Sequence, residues 1–211
     1  TVHLVLFLKL QYMMRKSLIF IILLAGCLGV SAQSLRTVWI EMPDSIIPYL
    51  SRSQRTELVD YVDMKAEPAV RDALGDTVRI ERMTDSYLSV RLSGSSRLEI
   101  RLLDKSTLAL VRTWEAPAAE SSLHLFSQLW QKKKAVVVCQ ETVSRPDTMS
   151  EEEFAELKSL AVPRMRVFHL SADRPSLSVS WSYPLLSAKD AKRVAALLKP
   201  KELEWTGTEF R

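Results

Sequence analysis

The chain has 211 residues, 47% of them hydrophobic, with 29 basic against 25 acidic residues and a formal charge of +4. That balance excludes a strongly basic nucleic-acid binder and a charge-dominated disordered chain. Two cysteines exclude a disulfide framework, so the core must hold the fold unaided.

Residues 1–13 (TVHLVLFLKLQYM) read as a non-native upstream extension, with the start at Met13 or Met14. Arg15 and Lys16 then give a short positive stretch, and Ser17 to Leu24 an apolar core followed by small residues. This is the layout of a secretory signal, and its apolar run falls short of the roughly 20 residues a membrane span needs. Two cleavage readings stand. Leu24-Ala25-Gly26-Cys27 resembles a lipobox, which gives a leader over 14–26 and a lipid on Cys27. Val30-Ser31-Ala32 is a small-x-small site, which gives a leader over 14–32 and a mature chain beginning at Gln33. Both predict an exported protein, periplasmic or associated with the outer membrane of a Gram-negative bacterium. Removal of residues 1–32 takes Lys9, Arg15 and Lys16 with it and no acidic residue, so the mature balance falls to about +1.

The mature part, 33–211, reads as a single α+β domain. Residues 33–43 form a lead-in. Asp44 or Ser45 starts a short helix with Pro48 in its first turn, and Ser53 caps a second helix bearing Leu58, Val59 and Val62. A third helical piece over Pro68 to Leu74 ends at Gly75. The period then changes to two. Strands are predicted at 76–83, 87–92, 97–102 and from Leu108, a meander with one dry side that the helical hairpin covers. SLHLFSQLW (122–130) fits a strand or a helix, and AVVVCQETV reads as a strong central strand. Ser150 with Glu153 is a capping-box signature for a helix to Ser159. Two late strands (166–170, 177–181), a helix from Ser187 to about Pro200 and a short last strand complete one antiparallel, curved sheet of six to eight strands.

The sequence holds no HExxH, Walker A, GxSxG or GxGxxG pattern. Asp60, Asp63 and Glu67 share a helix face, but nothing local completes a cation shell, so the favoured reading is a solvated face paired to Arg55 or Lys65. Cys139 with His169 or His124 and Asp173 is a conceivable triad that no spacing brings together, and Cys139 reads as a buried strand residue. Glu151, Glu152 and Glu153 fit a solvated helix start better than a glycosidase pair. Lys132, Lys133 and Lys134 guard a strand entrance. Arg91, Arg97, Glu99 and Arg101 alternate with apolar positions and are expected to form the outer face of the meander. Trp181 and Tyr183 in WSYP would add an aromatic contact if their rings were exposed.

Four segments carry a family likeness: MPDSIIPYL (42–50), RTELVDYVDMKAE (55–67), ALGDTVRIERMTDSYLSVRLSGSSRLEIRLL (73–103) and YPLLSAKDAKRVAALLKPKELEW (183–205). They resemble an exported Bacteroidetes family of unknown function, DUF3256. The family's CxPxxD-type segment is not reproduced, since VCQETVSRPDTMSEEE holds the single Cys139. The resemblance implies export and architecture and no activity. Its helix-helix-sheet order is also similar to the fold of beta-lactamase inhibitor proteins.

The favoured function is a non-catalytic cell-envelope protein that binds another macromolecule through Arg91, Arg97, Glu99, Arg101, Trp181 and Tyr183. The expected partner is an envelope protein or glycan. No nucleic acid and no cofactor are expected, and membrane contact comes only through a lipid on Cys27. The alternatives are an exported hydrolase-like enzyme built from scattered polar residues, and a protein inhibitor. A concave polar cleft with an acid and a histidine in hydrogen-bond reach would favour the enzyme. An exposed aromatic patch would favour binding.

Overall fold

Ser34 turns the chain into α1 (Leu35–Ile40): its Oγ accepts from the Thr37 backbone N–H, and Leu35, Val38 and Trp39 are buried along one side. The structure, a computed structural model, describes residues 33–211. The expected upstream extension, the expected signal sequence and Cys27 lie outside the described residues. After α1 the chain takes a succession of turns, with Ile46 N–H on the Pro43 carbonyl (3.0 Å) and Leu50 N–H on that of Ile47 (3.1 Å). The helix expected from Asp44 therefore does not form. Pro48 stands four residues after Asp44, where a helix would need an N–H for the Asp44 carbonyl, and proline has none. The helix α2 (Arg52–Asp63) follows, capped by Ser51 rather than Ser53. Ser51 and Gln54 exchange side-chain-to-backbone bonds in a capping box.

Seven antiparallel strands then follow in chain order: β1 (Ala69–Arg71), β2 (Thr77–Met83), β3 (Tyr87–Ser93), β4 (Ser96–Leu102), β5 (Leu108–Trp114), β6 (Glu120–Phe126) and β7 (Lys132–Lys133). The third helical piece is in fact the hairpin β1–β2. Val70 pairs with Val78, and Asp72 Oδ1 accepts from the N–H groups of Leu74 (2.9 Å) and Asp76 (3.0 Å). Gly75, at φ +87°, supplies the left-handed turn residue of that hairpin and not a helix end. The ambiguous SLHLF segment is strand β6, fixed by seven register pairs to β5. On one face of this sheet Val78, Ile80, Leu88, Val90, Leu98, Ile100, Leu108 and Leu110 pack under α1, α2 and the turns between them.

The late strands do not extend this sheet. β8 (Met165–Leu170), β9 (Ser176–Ser182) and β10 (Lys201–Glu204) form a second, three-stranded antiparallel sheet in the order β10-β9-β8. Two further helices flank it, α3 (Glu151–Leu160) and α4 (Ala188–Ala195). Their apolar residues Leu157 and Val194 share a small core with Tyr183 and Leu197. AVVVCQETV is not a strand. Only Lys132 and Lys133 pair with β6; Val137 then bridges Phe210, whose N–H bonds the Val136 carbonyl at 3.0 Å. The apolar run is thus anchored by the C-terminal residues, and it half-covers Cys139 instead of burying it in a sheet.

The second sheet lies on the face of the meander that the helices leave free. Its Phe168, Leu170, Leu177 and Val179 share a core with Ala109, Val111 and Leu125. The middle of the meander is therefore dry on both sides, not one. The expected α+β class holds: the described residues form two open sheets, of seven and three strands, with four helices.

Candidate functional site

Glu99 projects from β4 on the face that meets the second sheet, and it is 1% exposed. A buried carboxylate needs partners, and Glu99 accepts three bonds. Tyr87 Oη donates to Oε1 at 2.7 Å, His169 Nδ1 lies 2.6 Å from the same oxygen, and the Leu170 backbone N–H donates to Oε2 at 3.3 Å. Neighbouring side chains serve the rest of the β8 edge. Arg101 Nη1 donates to the Ser171 carbonyl at 2.7 Å, and Ser121 Oγ reaches the Phe168 carbonyl at 3.5 Å. The docked sheet thus has its free edge answered by polar side chains of the meander.

His169 is half-exposed at the rim of this junction. Its Nδ1 faces Glu99, which leaves Nε2 toward a cleft of about 670 Å³. The Glu99 bond raises the His169 pKa, although burial and Arg97 oppose it. Tyr87 is held well above the ordinary phenol value by burial and by the Glu99 charge, so it stays a neutral donor. The cleft walls alternate in sign. Arg82 pairs with Asp173 at 3.1 Å, Arg174 pairs with Glu204 at 2.9 Å, and Glu81 and Glu202 complete the rim. Ser178 stands directly across the β8–β9 pair from His169. An acid and a histidine in hydrogen-bond reach are one of the two arrangements that separate an enzyme from a binding protein, and here only the histidine lines the cleft, because Glu99 is buried behind it. The other, an exposed aromatic patch, is not made by Trp181 and Tyr183: Trp181 is half-buried and Tyr183 is 7% exposed in the α3–α4 core.

The expected contact face is divided by the structure. Arg91 remains partly open, paired to Glu81 (3.0 Å) and Glu115 (2.6 Å), and Arg97 lies 4.0 Å from Glu115. Glu99 and Arg101 do not face solvent, because the second sheet covers them. Asp60 and Asp63 both bind Arg36, at 2.6 and 2.9 Å, and Glu67 faces Arg79 at 3.4 Å, so their partners are not Arg55 or Lys65. Cys139 borders a separate cavity with Lys201 and Arg211, and burial raises its thiol pKa. His169 is oriented by Glu99, and Asp173 is held by Arg82, so the Cys139 triad is not assembled. The sequence did carry one signal for the Glu99 site. Leu108-Ala109-Leu110-Val111 is apolar at four successive positions, the pattern of a strand covered on both faces.

Residues 27–210 match the profile of a family described as Protein of unknown function (DUF3256). The chain belongs to that family. This DUF3256 protein is also similar to a solved structure described as a domain of an uncharacterized protein from Porphyromonas gingivalis W83. The TM-score is 0.66 at 18% identity, over 84% of this chain and 96% of that one. At that identity the likeness shows the fold alone. No curated protein matches the chain.

Proposed function

We propose that this DUF3256 protein is an exported, non-catalytic protein of the cell envelope that binds another macromolecule, an envelope protein or a glycan, in the cleft between its two sheets. One observation carries the reading: the cleft is open and polar, with Arg82, Asp173, Arg174 and Glu202 alternating in sign around His169. Small-molecule sites are mostly apolar and enclosed, whereas a charge mosaic suits the polar rim of a macromolecular contact. Glu99 supports this further, since its contacts with His169 and the Leu170 amide hold the docked sheet in place. Export rests on the signal-like pattern that begins at Met14 and ends at Gly26 or at Ala32. Intact mass from membrane and soluble fractions separates a lipid on Cys27 from a chain beginning at Gln33.

The test is site-specific photo-crosslinking in cells. A photoreactive residue at Ser178 in the cleft should capture a defined envelope component, and the R82E/R174E variant should lose it. The same residue at the exposed Leu185, outside the cleft, should not capture it. Equal capture at both positions, or none at Ser178, would defeat the reading. A second reading, an exported hydrolase, is favoured by the 2.6 Å Glu99–His169 contact that orients Nε2 toward the cleft. It requires turnover that His169→Ala abolishes.

A further inference from the structure

The opposite face of the meander carries a second cavity. α1 and α2 cover the β1–β4 end, while at the β5–β6 end Arg112, Trp114, Ser122, His124, Phe126 and Lys132 line a trough of about 340 Å³. These residues share one face by register: Arg112 pairs with Ser122, Leu110 with His124, and Phe126 with Lys132. The trough is charged on one side only. No acidic residue lines it, and among the described residues no carboxylate lies within ion-pair distance of Arg112 or Lys132. Arg112 instead donates to the Tyr49 hydroxyl at 2.8 Å, and its guanidinium sits 5.0 Å from the Trp114 ring centre. Its Nε is buried with no hydrogen-bond partner. The Tyr49 bond and the ring contact fix this cation in place without neutralising it. Trp114 is 42% exposed, unusual for so large an apolar side chain. Phe126, which pairs with Leu108 at the other end of the β5–β6 register, closes the far end of the trough, tilted against Trp130 at 5.3 Å. Burial and the Lys132 charge lower the His124 pKa, so at neutral pH the imidazole offers a hydrogen bond and the charge sits on Arg112 and Lys132.

We propose that this trough binds a ring-bearing organic anion, with the apolar face of its ring against Trp114, its acid group on Arg112, and Lys132 at the far end adding to the positive field. Charge complementarity selects the anion, since two unneutralised cations without a facing acid attract negative charge. The exposed indole selects the ring, because a bare inorganic anion gains nothing from an aromatic wall. A volume of about 340 Å³ stands at the small end of ligand sites, roughly 300–1,000 Å³, and so suits a single ring unit rather than a folded partner. An acidic sugar and an aromatic acid share this chemistry. The site lies on the other face of the meander from the His169 cleft, so the two proposals stand or fall separately.

Calorimetric titration of the full chain with a galacturonic acid disaccharide, indole-3-acetate and inorganic sulfate tests it. At least one of the two ring acids should bind saturably, and which one does identifies the source of the anion. Sulfate should bind at least about tenfold more weakly. Lys132→Glu, at an exposed position, should weaken the ring acid about tenfold or more, and Trp114→Ala likewise, with unchanged circular dichroism. His169→Gln should leave the affinity unchanged. Absence of saturable binding by both ring acids, sulfate binding as tightly as they do, or Lys132→Glu binding as well as the wild type would each overturn the proposal.

Discussion

Arg55 shows how far a single residue can depart from its expected role. On an amphipathic helix it reads as a solvated partner for nearby acids, yet it is 1% exposed. Its guanidinium donates to the carbonyls of Leu50 (2.7 Å), Met42 (2.6 Å) and Ile40 (3.3 Å) and to Asp44 (3.0 Å). Its own carbonyl accepts the Trp39 indole N–H at 3.0 Å. Two prolines deny residues 41–50 a regular ladder, so one arginine with five donors supplies the bonds a helix would have made for itself. Arg55→Met leaves buried carbonyls without partners and should cost about 3 kcal/mol or more. Urea denaturation reads the loss, and a shift below about 1 kcal/mol would mean that water replaces the guanidinium.

At the scale of the element, caps hold more of this fold than propensity does. Each of the four helices among the described residues has a serine N-cap accepting from the backbone, at Ser34, Ser51, Ser150 and Ser187. Ser150 and Ser187 were legible because apolar periodicity begins just after them. Ser51 was displaced by two residues to Ser53, since both serines precede the same run and only the Gln54 reciprocal bond decides between them. Ser51→Ala should destabilise by about 1 kcal/mol and Ser53→Ala by much less, measured as the shift in thermal or urea midpoint. Equal losses would place the cap wrongly. The strands divide in the same way. Alternation located β2 to β5 within a residue or two, while Ala135 to Val138, apolar throughout, carries no period to tell a central strand from a half-covered extended segment.

For the whole molecule, the decisive event is the docking of the three-stranded sheet on the meander. The Glu99–His169 contact crosses that junction, and its pH dependence follows from the raised His169 pKa. The folded state holds the proton more tightly than the unfolded chain. This contribution is therefore fully present below about pH 6.5, the unfolded value, and is lost as pH rises through the higher folded value. His169 is half-exposed, so solvent screens the effect. Between about pH 6 and about pH 8 the urea midpoint of the wild type should fall relative to that of His169→Gln. A difference between the two proteins that stays constant over this interval would show that the contact does not titrate there.

The sequence by itself determined the class of fold, the meander and three of the capped or periodic helices, because each is written in local order: period, turn residues and caps. It also carried the family likeness that the profile match bears out. Only the tertiary structure decided that the late strands form a sheet of their own, that Glu99 and Arg101 lie beneath it, and that His169 meets Glu99 across 70 residues of chain. Alternation states that two faces differ, but not what covers the second one. That face is set by where a distant sheet finds apolar area and partners for its edge, and those partners were Glu99, Arg101 and Ser121.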